Sequence, residues 1–254
     1  APSNNAGNNI FVYYLASQAG TIGHPSSQAL SATNGTFTGD VGIGTASPSQ
    51  KLHVAGNVYN TGFVNSAGSG TAGGYQFADG NAMIYRATND LAIKLQGTET
   101  LRINAAGIIT KPLQPAFSVH KNGTDQSNMA IADTTVTWTH ERFDANADFN
   151  LTNNNFVAPV TGKYFLNFMA RLEAVDSAAV FYLANIVTSN QTYRYIIDPN
   201  FSADLNYFKV QVTVLADMDA NDTATVTFIQ NGGTQQTDID GDATETFFMG
   251  HLVA

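Results

Sequence analysis

Between residues 162 and 173 apolar side chains fall on every second position: Tyr164, Leu166, Phe168, Ala170 and Leu172, with Asn167, Arg171 and Glu173 between them. Period two with one polar side predicts a strand buried on one face and wet on the other. The preceding APVTG, residues 158–162, pairs a proline that fixes φ with a glycine free to take positive φ, which predicts the turn that launches the strand. Phe208, Val210, Val212 and Val214 alternate with Lys209, Gln211 and Thr213, and Ala224, Val226 and Phe228 with Thr223, Thr225 and Thr227. These are two more half-buried strands, with 217–222 as the turn joining them and its carboxylates read as turn formers. No amphipathic helix of comparable length competes with these patterns, so the fold class is all-β.

Upstream the texture changes. Residues 36–112 show short apolar beats between glycines: LHVAGNV at 52–58 and LRINAAGII at 101–109 each predict a strand, a glycine turn and a second strand, and FTGDV at 37–41 is a shorter version. Strands this short do not close a core alone, which predicts that they complete themselves on neighbouring chains as an intertwined shaft. Lys111, Pro112, Leu113, Gln114 and Pro115 mark the boundary, and two prolines three apart predict a stiff, extended connection. Residues 1–35 hold one apolar island, IFVYYLA at 10–16, which is either an element packed on its own chain or an attachment segment buried in another protein. The organisation expected is therefore an N-terminal attachment segment over 1–35, a β-rich shaft over 36–112 and a knob over 113–254.

Composition narrows the function. Charged residues make up only 12% of the chain, about half the usual ~25%. The net charge is −9, against the clustered lysine and arginine that a phosphate backbone requires, so nucleic acid is not an expected partner. No apolar run approaches the ~20 residues of a membrane span, so no membrane insertion is expected. There is no cysteine, leaving packing and association as the sources of stability. No lysine or arginine precedes Lys51, so the basic start of a secretory signal is missing. A chain of extracellular style without an export signal fits a virion protein, assembled in the host cytoplasm and acting outside the cell.

Two resemblances sharpen this. Trp138, Asp144, Phe149, Phe156, Gly162, Tyr164, Leu166 and Phe168 follow the spacing of the signature of the complement-component-one-q globular head, a member of the TNF-like jelly-roll superfamily. Trp138 and Leu166 stand where that family has Phe; both keep a large apolar side chain. Phe248, Gly250 and Leu252 resemble the family's last strand, with His251 as a departure. The resemblance covers roughly 115–254 and implies a jelly-roll β-sandwich that works as a homotrimer. GDVGIGTASPSQKLHV, residues 39–54, and GTETLRINAAG, residues 97–107, are similar to a repeat of bacteriophage tail fibres and related trimeric surface proteins, which implies shaft or collar elements ahead of a receptor-binding tip. Gly42 and Gly44 do not mark a nucleotide loop, because the long helix that should follow them is absent from the pattern.

The expected function is a structural virion fibre whose knob binds a host surface receptor, glycan or protein, without catalysis; the alternative is a purely structural capsid-decoration or neck fibre. His24, His53, His120, His140 and His251 are scattered, with neither metal-ligand spacing nor a serine and carboxylate partner, so no enzyme is expected. A capsule depolymerase would need a carboxylate pair in a long groove on a larger repeating domain. Tyr193, Tyr195, Phe201 and Tyr207 flank the upper loops and could stack on sugar; core or trimer-interface packing is the competing reading. Strand parity places the acidic loops around 198–204 and 238–242 at the end away from the shaft. Asp198, Asp204, Asp238, Asp240 and Asp242 offer oxygens suited to Ca2+, or are solvated turns. No cofactor is required beyond that candidate ion. The expected partners are two further copies of the chain, another virion protein at the N-terminal segment, and the receptor.

Overall fold

The computed structural model describes residues 38–58, 74–77 and 81–254, and every described element is a strand or a turn. The whole expected attachment segment over 1–35, with its apolar island at 10–16, lies outside these residues. The chain divides into two compact units, one ending at Asn65 and the other beginning at Ser66.

In the described part of the first unit, β1 (Val41–Ile43) and β2 (Leu52–Val54) pair in parallel. This corrects the strand, turn and strand expected over 52–58. Gly44, at φ +72°, turns the chain out of β1, and the bonds Val41 N–H to Lys51 O and Ala55 N–H to Ile43 O, both 2.8 Å, carry the pairing past both ends. The Lys51 ammonium adds an ion pair to Asp40 at 2.7 Å. Pairing across residues 44–51 leaves no mark on local periodicity.

The second unit begins with an antiparallel meander of β3 (Gly74–Phe77), β4 (Ala82–Ala87), β5 (Asp90–Leu95), β6 (Thr98–Ile103) and β7 (Ile109–Thr110), neighbours in that order. The strand, turn and strand expected over 101–109 is β6 and β7. Asn104 makes its turn, accepting the backbone N–H of Ala106 and of Ile108 on its side-chain oxygen. Residues directly opposite in an antiparallel ladder share a face. Register therefore sorts Tyr75, Ile84, Ile93 and Leu101, together with Leu91, Ile103 and Ile109, onto one side. The other side carries Met83, Tyr85 and Ala92, which are buried, under a polar layer in which Arg102 joins Asp90 and Glu99 and the Tyr85 hydroxyl meets Glu99 at 3.3 Å.

Residues 111–115 are not the stiff spacer expected. They fold as a turn, with Gln114 N–H bonded to Lys111 O at 3.1 Å, and they are pinned to the knob by Gln114 Nε2 to Leu252 O and by Leu252 N–H to Pro115 O. The fixed φ of Pro112 suits a turn as well as an extended chain.

The knob follows: β8 (Ala116–His120), β9 (Thr134–Thr135), β10 (His140–Asp144), β11 (Phe149–Asn150), β12 (Asn155–Val157), β13 (Gly162–Val175), β14 (Ala179–Thr188), β15 (Thr192–Ile197), β16 (Leu205–Met218), β17 (Thr223–Gly232), β18 (Asp238–Ile239) and β19 (Phe247–Leu252). One sheet runs β10-β8-β19-β13-β16 and the other β11-β12-β17-β14-β15, with β18 added to β13 and β9 to β17. Chain and sheet order together describe two interleaved Greek keys, a jelly-roll β-sandwich. The predicted strands are β13, β16 and β17; their core-facing residues alternate as expected, but Asn167, expected on the wet side of β13, is buried. Between the sheets, Phe117 stacks on Phe156 at 4.7 Å between centroids and meets Phe248 edge-on at 5.1 Å. Trp138 packs edge-on against Phe168 at 6.1 Å, and Leu166 is fully buried in the same core. Asp144 is the turn carboxylate that the pattern suggested, accepting the N–H groups of Asp148 and Phe149.

Gly250 sits where β19 passes closest to this core. A Cβ there would lie 2.6 Å from Leu166 Cδ2, 2.8 Å from Phe117 Cε1 and 2.9 Å from Phe165 O. Overpacking of this kind costs about 1–3 kcal/mol. Gly250→Ala is accordingly expected to lower the urea midpoint by that amount at an unchanged slope, whereas an unaltered midpoint would mean that β19 can withdraw from the core.

Candidate functional site

The end of the knob away from Pro115 is built by the loops after β13, β15 and β17 and by the turn after β8. β13 runs from Gly162, opposite Met218, to Val175, opposite Leu205, so Asp176 and Asp204 meet at this distal end. The sequence parity argument is thus matched: the stretches 198–204 and 238–242 share one end of the sandwich.

Asp176 is the centre of the cluster and is almost fully buried. Its Oδ2 accepts Thr234 N–H, the Thr234 hydroxyl at 2.9 Å and Gln230 Nε2 at 3.3 Å, while Oδ1 accepts Ala178 N–H at 2.8 Å. Burial alone would raise its pKa, but these donors outweigh it and hold the carboxyl below its ordinary value. The Tyr182 hydroxyl, 2.9 Å from Thr237 Oγ1, accepts Asp176 N–H and closes the ring of contacts. Gly233, at φ +68°, passes so close that a Cβ would stand 2.2 Å from Asp176 Oδ2.

The candidate calcium ligands do not converge. Asp204 accepts Ser177 N–H and the Ser177 hydroxyl on Oδ1 and Gln236 Nε2 on Oδ2, bonds that lower its pKa, the Ser177 hydroxyl most. Asp238 accepts Asn128 N–H, and Asp240 pairs with Arg171 at 2.7 Å while accepting Asp242 N–H. Asp242 accepts the hydroxyl and N–H of Thr244, which lower its pKa. Asp198 is exposed on its own loop. Among the described residues no group of three or more histidine, aspartate or glutamate side chains is placed to hold a metal ion. Ca2+ asks for six to eight oxygens; these carboxylates instead clamp their own loops to N–H and O–H donors. Alternating Asp and Gly in sequence looks the same for both uses.

The four aromatics expected at a receptor surface are also dispersed. Phe201 packs on Phe208, 5.8 Å between centroids, and with Tyr193 leans against the core. Tyr207 is exposed on the outward side of β16, beneath the Arg171 guanidinium at 5.1 Å. Tyr195 lies on β15, which ends its sheet on the same side as β16 ends the other. Between these two edges the sandwich is open: a cavity of about 450 Å³ there is lined by Tyr193, Tyr195, Val212 and Val214 among others.

The outward face of the β13 sheet was missed by sequence reasoning. Register sets Leu215, Phe165 and His251 in one row and Gln211, Met169, Phe247, His120 and His140 in another, with Thr213, Asn167, Met249 and Ser118 between. Asn167 Oδ1 accepts the Thr213 hydroxyl at 2.6 Å and Gln211 Nε2 at 2.9 Å, so even the polar members bond within the face. The signal was present, since Phe165 and Met169 occupy the positions of β13 that a water-facing side would give to polar residues. His120 and His140, scattered in sequence, stack in space at 5.8 Å.

Comparison with protein-family models and with curated proteins finds no match. Among solved structures the chain is similar to the globular domain of zebrafish complement 1qA, at 20% identity over 56% of this chain and 98% of that one, with a TM-score of 0.41. It is similar also to murine APRIL at pH 8.5, at 12% identity over 55% of this chain and 99% of that one, TM-score 0.41, and to the same protein at pH 8.0, TM-score 0.42.

If Asp176 is the clamp of the distal end, Asp176→Asn removes a buried charged acceptor and is expected to cost about 2 kcal/mol at pH 7. The native pKa lies below the unfolded one, so the wild-type advantage is full above the ordinary carboxylate value near ~4 and is lost as pH falls through the native value. Denaturant unfolding of both proteins from pH 7 to pH 2 checks it; a constant difference across that range would contradict the assignment.

Proposed function

We propose that the chain is one of three identical subunits of a virion fibre of bacteriophage type, in which an intertwined shaft carries a jelly-roll knob that binds a host surface receptor without catalysis. One observation carries the reading: two separate sheets each present an apolar face that is left partly open to water. In the meander, Tyr75, Leu91, Leu95 and Ile109 are each about half exposed on one side. In the knob, the outward face of Phe165, Met169, Leu215, Phe247 and Met249 has the aromatic and methionine character of an interface core.

The open edge at Tyr195 and the apolar face on β13 are different surfaces of one molecule. Docking edge to face is a heterologous contact, which closes into a ring when the rotation allows. Such a ring gives Tyr193, Tyr195 and Tyr207 to subunit packing and leaves the distal loops as the surface free to meet a receptor. Three weak sites on one particle gain by multivalency. The virion assignment leans on the glycine-punctuated repeats at 39–54 and 97–107.

Adsorption competition tests the receptor role. Purified protein at micromolar concentration is expected to bind host cells and block virus attachment, and Phe201→Ala, which loosens the distal loop at 198–204, is expected to weaken that block several-fold. Protein that neither binds nor competes would leave a purely structural fibre.

A further inference from the structure

β8 and β10 run side by side, and their register sets His120 opposite His140, the rings stacked at 5.8 Å and 23°. Both rings accept hydrogen bonds from one residue. Asn122 gives its backbone N–H to His120 Nδ1 at 3.1 Å and its side-chain amide to His140 Nε2 at 3.3 Å. A ring nitrogen that accepts carries no proton, so each of these two bonds requires an unprotonated acceptor nitrogen.

The positive group beside the pair is Arg142, whose charge is partly offset by Asp242. His120 is nearly buried, with Phe247 of β19 on its other flank. The Arg142 guanidinium lies over the Phe247 ring, 5.6 Å from its centroid, and donates to Ala243 O. Lys121 directs its ammonium to Gln126 and Thr137. The carboxylates nearby are engaged elsewhere or turned away: Asp125 with Gly241 N–H, Asp242 with Thr244, Glu245 with Lys209, and Glu141 opposite Val119 on the other side of the sheet. Burial first, then Arg142 and His140, hold the His120 pKa below its ordinary value.

We propose that the His120–His140 stack is a proton-operated latch: neutral, it holds β10 and the 121–125 turn on the knob, and with both rings charged beside Arg142 it releases them. The turn is a sensitive place for such a device. Asn122 is in the left-handed region at φ +54°, and Gly123 N–H to Gly241 O at 2.6 Å ties the turn to the 238–242 loop. Protonation removes both acceptors of the Asn122 bonds and sets up to three positive groups together. Because the native His120 pKa lies below the unfolded one, the latch is closed above the unfolded value of ~6.5 and weakens as pH falls below it. Its bearing on receptor contact rests on the function proposed above; the latch itself does not.

Hydrogen exchange of the whole chain at pH 7.5 and pH 5.0, corrected for intrinsic rates, tests it without any receptor. Amides of 121–125 and 140–144 are expected to open about tenfold more at pH 5.0, with β13 unchanged. His140→Gln and Arg142→Gln each remove one positive group from an exposed position, and both are expected to cut the acid response to about threefold or less. Equal opening of the wild type at the two pH values, or an undiminished acid response in both variants, overturns the latch.

Discussion

A sheet that is apolar on both faces needs a second surface on each side, and that constraint governs this chain. In the knob the inward face of β13 is met by the opposite sheet, and Phe117, Phe168 and Phe248 from its own sheet form the core with Phe156 from the other. Its outward face carries Phe165 and Met169, which are only partly buried. The meander repeats the problem at smaller scale: Met83, Tyr85 and Ala92 are buried on one side, while a full row of aliphatic side chains waits on the other. At roughly 25 cal/mol per Å² of apolar surface removed from water, leaving two such faces wet forgoes many kcal/mol. Association of identical chains meets both needs with one operation.

Much of the knob was legible in the sequence because its strands are long and strictly alternating. Period two from Tyr164 to Leu172 located β13, and the turn at 158–162 located its start. What the pattern could not carry was pairing over long separations. The parallel partnership of β1 with β2, the stack of His120 on His140, and the folding of 111–115 onto Leu252 each join residues whose relation is set by register rather than by local period. The acidic loops were placed at the correct end by strand parity, yet their chemistry was hidden. Asp176, the carboxylate that organises that end, drew no notice beside the Asp-Gly runs because a single aspartate in a turn is ordinary.

The two ends of the knob do different work in this account. Near Pro115 the turn at 111–115 is pinned to the knob, and the turn at 158–162 starts β13, one of its two longest strands. At the far end Asp176, Asp204 and Asp240 tie four loops together through N–H and O–H donors. Between them lie the β13 face and the open edge at β15 and β16, the surfaces that the proposed assembly would use. Binding is left to the surface that assembly does not cover.

Native mass spectrometry of the full chain at low micromolar concentration tests the central claim most directly. The account predicts a single particle of three chains, with no free monomer until denaturant also exposes the core. A stable folded monomer would show that the two apolar faces tolerate water, and would contradict it.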